Sequence, residues 1–141
     1  MKPGVWFTTI LGAAVLVWSA GAAQKEVKKI PVTSTRADSA VEMFKTYCAS
    51  CHGVDGKGHG PAAEALKVAP SDLTMLKQKN DGKFPSGKVT RIVEGADVVT
   101  AHGSTDMPTW GPIFRSLDPN NAPVTKLRIA NLTKYIESMQ R

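Results

Sequence analysis

Apolar positions are distributed unevenly along the chain, and their spacing changes twice. Val5 to Trp18 is an apolar run of fourteen residues behind Lys2, followed by the small residues Ala20, Gly21 and Ala22. Residues 23–38 are then polar and lysine-rich with no apolar period, which reads as a solvated tether. From Ser39 onward the period becomes helical. Val41, Phe44, Cys48 and Cys51 recur at steps of three, four and three, which places them on one helix face. Ser39 and Glu42 fit a capping box at its start. Gly53, Gly56, Gly58 and Gly60 break the helix just after His52. Pro61 opens a short helix through Leu66, which Pro70 stops, and Asp72 to Lys79 has room for a further turn or two. Ser86 to Glu94 is predicted helical, with Val89, Ile92 and Val93 apolar and Gly95 at its end. Residues 96–123 hold Pro108, Pro112, Pro119 and Pro123 and are expected to be mostly irregular. Pro123 starts the last helix, with Ile129, Leu132, Tyr135, Ile136 and Met139 in helical period. Nothing alternates with period two, so the predicted fold is all-α with long loops. Loops of that length in a compact domain usually carry function.

The 141 residues leave room for one ordinary domain. Residues 1–22 have the layout of a signal peptide, with a positive start, an apolar middle and small residues at the end. A bilayer core about 30 Å thick needs roughly 20 helical residues, so an uncleaved anchor stays open as the alternative. The expected organisation is signal peptide 1–22, tether 23–38 and folded domain 39–141. Either way the domain is exported, to a bacterial periplasm or to a membrane anchor facing it. Eighteen Lys and Arg against twelve Asp and Glu give a net charge of +6. The basic residues are scattered and not interleaved with aromatics, which argues against nucleic acid and leaves a docking face for an acidic protein as the sharper alternative to a solvated surface.

Two cysteines in an exported chain would ordinarily suggest one disulfide. Here the run is Cys48-Ala49-Ser50-Cys51-His52, the haem attachment signature. Thiols three residues apart lie on neighbouring helical turns and reach two vinyl groups on one porphyrin edge, while the next imidazole points at the iron. A thioredoxin-like pair would need a βαβ pattern, and a structural zinc site about four ligands. The expected cofactor is therefore one covalently attached haem c. A histidine ligand usually donates its other ring N–H to a carbonyl or carboxylate, and the carbonyl of Pro61 is the candidate acceptor, since the loop after His52 folds back beneath the ring. For the sixth ligand, Met107 lies in a proline-held loop fifty-five residues after His52, far enough along to reach the other haem face. Met75 and His102 stay open as alternatives, whereas His59 lies too close to His52. Met43 and Met139, on the first and last helices, read as packing residues. Trp110, three residues beyond Met107, is either a haem neighbour bonding a propionate or ordinary core packing.

The chain resembles the class I cytochrome c family over essentially all of Ser39 to Arg141, and three stretches carry the resemblance: Cys48 to Gly53 with Gly58-His59-Gly60-Pro61 after it, Asp106 to Pro112, and Asn131 to Ile136. The resemblance implies a cytochrome c-like fold in which first and last helices cross, here with Phe44 against Leu132 and Tyr135. It implies a distal methionine in a late proline-containing loop, which agrees with Met107, and a proline carbonyl accepting the proximal N–H, which agrees with Pro61. Lys77 to Lys88 matches no family feature. The expected activity is one-electron transfer by an exported carrier with His52/Met107 ligation, not catalysis. The expected partners are redox proteins, with no nucleic acid, contact with a membrane only if the N-terminal segment is retained, and a monomeric state. Two rivals remain: a haem subunit of a larger membrane oxidoreductase, and a haem sensor or enzyme with an open sixth position.

Overall fold

A computed structural model of the chain describes residues 32–97 and 107–141. The described residues fall in the unit Pro31–Arg141; the expected signal peptide and residues 23–31 of the tether lie outside them.

The first helix forms in three consecutive pieces: α1 (Ala40–Met43), a π-helical turn (Phe44–Cys48) and α2 (Ala49–His52). Ser39 caps it, its hydroxyl accepting the Glu42 N–H at 3.4 Å. The other half of the expected capping box is filled differently, because the Ser39 N–H donates to the Arg36 carbonyl at 3.3 Å. In the π turn the Ala49 N–H reaches back five residues to the Phe44 carbonyl, and Cys48 opens to φ −113°. Such wide turns are rare and tend to occur at functional sites. Gly53, at φ +77°, ends the helix where a side chain would be strained.

Single 3₁₀ turns follow at Ala63–Ala65, Leu73–Met75 and Gln78–Asn80, so the short helix expected after Pro61 shrinks to one turn, while the stretch from Asp72 forms two turns as expected. Helix α3 (Ser86–Glu94) runs over the expected span, and Gly95 closes it in the left-handed region. One helix was not anticipated: α4 (Trp110–Leu117) lies inside the stretch expected to be irregular. Pro112 is its third residue, where no intrahelical N–H is needed, so the proline is tolerated rather than disruptive. Helix α5 (Ala122–Ser138) carries Pro123 in its first turn.

Helix α5 packs against α1, α3 and α4, and α3 packs against α4. The core draws Met43, Phe44, Tyr47 and Ala49 from the first helix, Val89 and Val93 from α3, Trp110 and Phe114 from α4, and Ile129, Leu132 and Ile136 from α5. Phe44 is fully buried, with its ring 5.3 Å from that of Tyr135, so first and last helices meet where expected. Burying a ring of this size is worth about 1.5–3 kcal/mol.

The tether boundary needs correction. The Tyr47 hydroxyl donates to the Thr33 carbonyl at 2.7 Å and accepts from the Thr35 hydroxyl at 2.9 Å. Arg128 Nη1 donates to the Thr35 carbonyl at 2.8 Å, and Asn131 Nδ2 to the Ala37 carbonyl at 2.9 Å. Thr35 is buried. Residues 33–37 are thus part of the domain. Their polarity suggested solvent, but polar side chains on the first and last helices supply partners for their backbone.

Candidate cofactor site

Cys48 and Cys51 are unpaired, half-buried thiols, one before and one within α2, and His52 is the last residue of that helix. Burial, with a smaller contribution from Cys51 beside it, pushes the Cys48 thiol up to about 12. His52 Nδ1 lies 3.0 Å from the Ser71 carbonyl oxygen. A carbonyl only accepts, so Nδ1 carries the proton and Nε2 keeps its lone pair. Burial lowers the His52 pKa, the Ser71 bond acting in the opposite sense, so the neutral ligating form is favoured.

This replaces Pro61 with Ser71 as the acceptor. The loop after His52 does not pass beneath the ring. It runs back along the helix end: Gly58 N–H donates to the His52 carbonyl at 2.7 Å, Gly60 N–H to that of Cys51 at 3.0 Å and Ala62 N–H to that of Ser50 at 2.8 Å. With Gly53 N–H on the Ala49 carbonyl at 2.9 Å, the carbonyls left open by the helix end are taken up. Pro61, between two of these bonds, is exposed. The ring is reached by the next segment instead, which Leu73 N–H pins to the Gly56 carbonyl at 2.7 Å. Two glycines make this possible. A Cβ on Gly60 would collide with the Ser50 and Ala49 carbonyl oxygens, and one on Gly58 with that of Pro70.

Met107 is half-buried against the core cluster, just ahead of α4. Two close approaches fix the chain beside it. Thr109 packs onto Gly95, and Gly111 comes so near the Glu94 carbonyl that no Cβ would fit. Trp110 is buried, its ring centroid 5.3 Å from Tyr47 and 5.9 Å from Phe114. Tyr47 directly precedes Cys48, so this aromatic cluster joins the first helix to the segment that carries Met107. Of the alternatives, Met75 is half-buried at the end of the Leu73–Met75 turn, while His102 lies outside the described residues. His59 is exposed. Met43 is fully buried, and Met139 packs on Gly56, as packing residues.

Three contributors went unread in the sequence: Ser71, Tyr47 and Arg128. Ser71 acts through its backbone, which no side-chain pattern reveals. Arg128 carried a signal, since Thr125, Arg128, Leu132 and Ile136 follow the buried stripe of α5. A charge on that stripe requires a partner, and Asp118 supplies one at 3.0 Å.

Two unpaired thiols three residues apart and a half-buried imidazole with one nitrogen committed to a carbonyl form a donor set that fits a covalently attached haem. Among the described residues, no three His, Cys, Asp or Glu side chains gather as an alternative metal cluster. The comparisons point the same way. The cytochrome subunit of fructose dehydrogenase from Gluconobacter japonicus is 27% identical over 106 residues, which take in 75% of this chain but 19% of that protein. The chain therefore spans about a fifth of the length of that relative. No solved structure matches. The Cytochrome c family model matches residues 37–140, from just before α1 through α5, and the chain belongs to that family of electron-transfer proteins.

Proposed function

We propose that this chain carries one haem c on Cys48 and Cys51, with His52 and Met107 as axial ligands, and serves as an exported one-electron carrier in a respiratory or related redox chain. The observation that carries the reading is the Nδ1–Ser71 bond, which leaves Nε2 of a half-buried, neutral His52 free beside two unpaired thiols. The bound group supplies reversible one-electron exchange between ferrous and ferric iron. The chain's own residues do the rest. Ser71 fixes the ring orientation and tautomer of His52, and the bonds from Gly58, Gly60 and Ala62 keep the helix end rigid under it. Met107 contributes a thioether, which favours the ferrous state and raises the potential. With His52 and Met107 both ligating, the bound group would have no position left for substrate, which suits a carrier rather than a catalyst.

Charge distribution supports a redox partner with an acidic face. Lys77, Lys79, Lys83 and Lys88 are exposed, with only Asp81 among them, and none joins an ion pair among the described residues. Their loop is preformed: Asn80 Nδ2 donates to the Lys83 carbonyl at 2.7 Å and Gly82 N–H to that of Lys77 at 3.0 Å. Such a patch steers an acidic partner over roughly a Debye length, about 10 Å at 0.1 M salt. A second reading, a haem subunit of a larger membrane oxidoreductase, is favoured by the fructose dehydrogenase subunit among the relatives. Co-purification of this chain with a dehydrogenase would select it.

The direct test is Met107→Ala in the holoprotein. The reduced variant is expected to bind carbon monoxide readily and the ferric form to lose its far-red sulfur-to-iron band, with a lower potential and a retained fold. A variant that keeps the band intact would transfer the role to Met75. A wild type that already binds carbon monoxide rapidly and lacks the band would favour the sensor or enzyme reading.

A further inference from the structure

The buried arginine of α5 makes bonds that neither electron transfer nor haem attachment explains. The Arg128 side chain is 4% exposed. Burying a guanidinium costs several kcal/mol unless its donors are well placed. Its Nε and Nη2 go to Asp118 at 3.2 and 3.0 Å, and Nη1 goes to the carbonyl and hydroxyl of Thr35 at 2.8 and 3.2 Å, with the Met43 sulfur at 3.8 Å. A buried charge is thus spent on holding one short segment of the N-terminal lead. Tyr47 does the same from the opposite helix, directing its hydroxyl to Thr33 and Thr35.

Tyr47 also faces the other way. Its ring lies 5.3 Å from Trp110 and 5.4 Å from Phe114. Trp110 opens α4, and only Pro108 and Thr109 separate it from Met107. Pro108 has a fixed φ, and Thr109 is wedged on Gly95, so little slack remains between the two. A shift of Trp110 therefore passes to Met107. A thioether is a neutral, weak ligand, and how firmly it stays bound depends on how firmly its loop is held.

We propose that residues 33–37 are a strap that keeps the Met107 loop closed, with Tyr47 and Arg128 as positioning residues acting through Trp110. The proposal rests on the assignment of Met107 as distal ligand. With the strap seated, the sixth position stays occupied. With the strap released, Tyr47 loses its hydroxyl partners, the Trp110 stack loosens, and the distal position opens to external ligands.

The test uses holoprotein variants Tyr47→Phe, which keeps the ring and removes the hydroxyl, and Arg128→Met, which keeps length and removes the donors. The probe is carbon monoxide binding to the ferrous protein, read beside the far-red band of the ferric form and the melting temperature. Both variants should take up carbon monoxide about tenfold faster or more, because uptake scales with the population of the open state. The far-red band should weaken in both. Ile136→Val, a core change away from the strap, is the control for simple loss of stability. If Ile136→Val at an equal melting temperature takes up carbon monoxide as fast as the strap variants do, the strap has no special role. Unchanged uptake in Tyr47→Phe overturns the proposal even where Arg128→Met fails to fold. Those results are separate from failure of the ligand assignment, which Met107→Ala indistinguishable from wild type would show.

Discussion

Between Ala49 and Ala62 the chain is held by its own backbone: four loop amides close on four helix carbonyls, and glycines let the two segments touch. Between Met107 and Gly111 it is held by packing, with Thr109 on Gly95, Gly111 on Glu94 and Trp110 in an aromatic stack braced by the strap. The first arrangement fixes atoms by directed bonds and has few ways to give. The second relies on side chains drawn from several helices, each of which can relax. In the proposed function, attachment at Cys48 and Cys51 and ligation by His52 must last the life of the molecule, whereas a Met107 thioether need only stay closed on average. The difference in construction matches that difference in demand.

Substitution on each side tests the contrast. Gly60→Ala should have the largest effect. Its methyl meets two carbonyl oxygens that are themselves hydrogen-bonded, and relief requires breaking the loop-to-helix bonds, so a loss of about 3 kcal/mol is expected. Thermal melting and holoprotein yield report it, and a stable Gly60→Ala protein at wild-type yield would remove the backbone lock from the account. Gly111→Ala presses on a single carbonyl, that of Glu94, and α4 can tilt to relieve it, so about 1–2 kcal/mol is expected. Its signature should appear in the far-red band and potential rather than in yield. A normal band with depressed yield would reverse the comparison.

The smallest effect concerns Asp72, beside Ser71. Hydrogen bonding from the Thr74 hydroxyl, then from its N–H, holds the Asp72 carboxyl below its ordinary value of 3.8 against a partial burial penalty, with Arg141 and Lys79 adding attraction. A lowered folded-state pKa stabilises above the unfolded value and is lost as pH falls through the folded one. The melting-temperature gap between wild type and Asp72→Asn should therefore be steady above pH about 4 and close below it. A gap that persists at pH 2 would mean the carboxylate charge is not what Thr74 and Arg141 hold.

Much of this was legible in the residues. Helical period placed the first helix, α3 and α5, and the spacing of Cys48, Cys51 and His52 pointed to the family that the chain matches. Phe44 and Tyr135 meet as the family resemblance implied. What stayed hidden was hidden for identifiable reasons. The π turn leaves no compositional mark, since Phe44 to Cys48 suits an ordinary helix equally well. Helix α4 was masked by Pro112, which reads as a breaker unless one knows it falls in a first turn. Ser71 displaced Pro61 because a backbone acceptor is chosen by the path of the chain, and that path was set by Gly58 and Gly60 taking the helix carbonyls first. The strap was read as solvated because polarity does not distinguish a backbone facing water from one facing Arg128.

The span of chain that each contact bridges also orders the events by which the molecule is made. The bonds from Gly58, Gly60 and Ala62 each close a loop of about a dozen residues or fewer, whereas the bond from Arg128 to Thr35 joins positions 93 apart. Short loops close early and cheaply, while distant pairings wait for the rest of the chain. The first helix can therefore take its final shape while α5 is still emerging, and the strap, although made before every helix it contacts, is seated last.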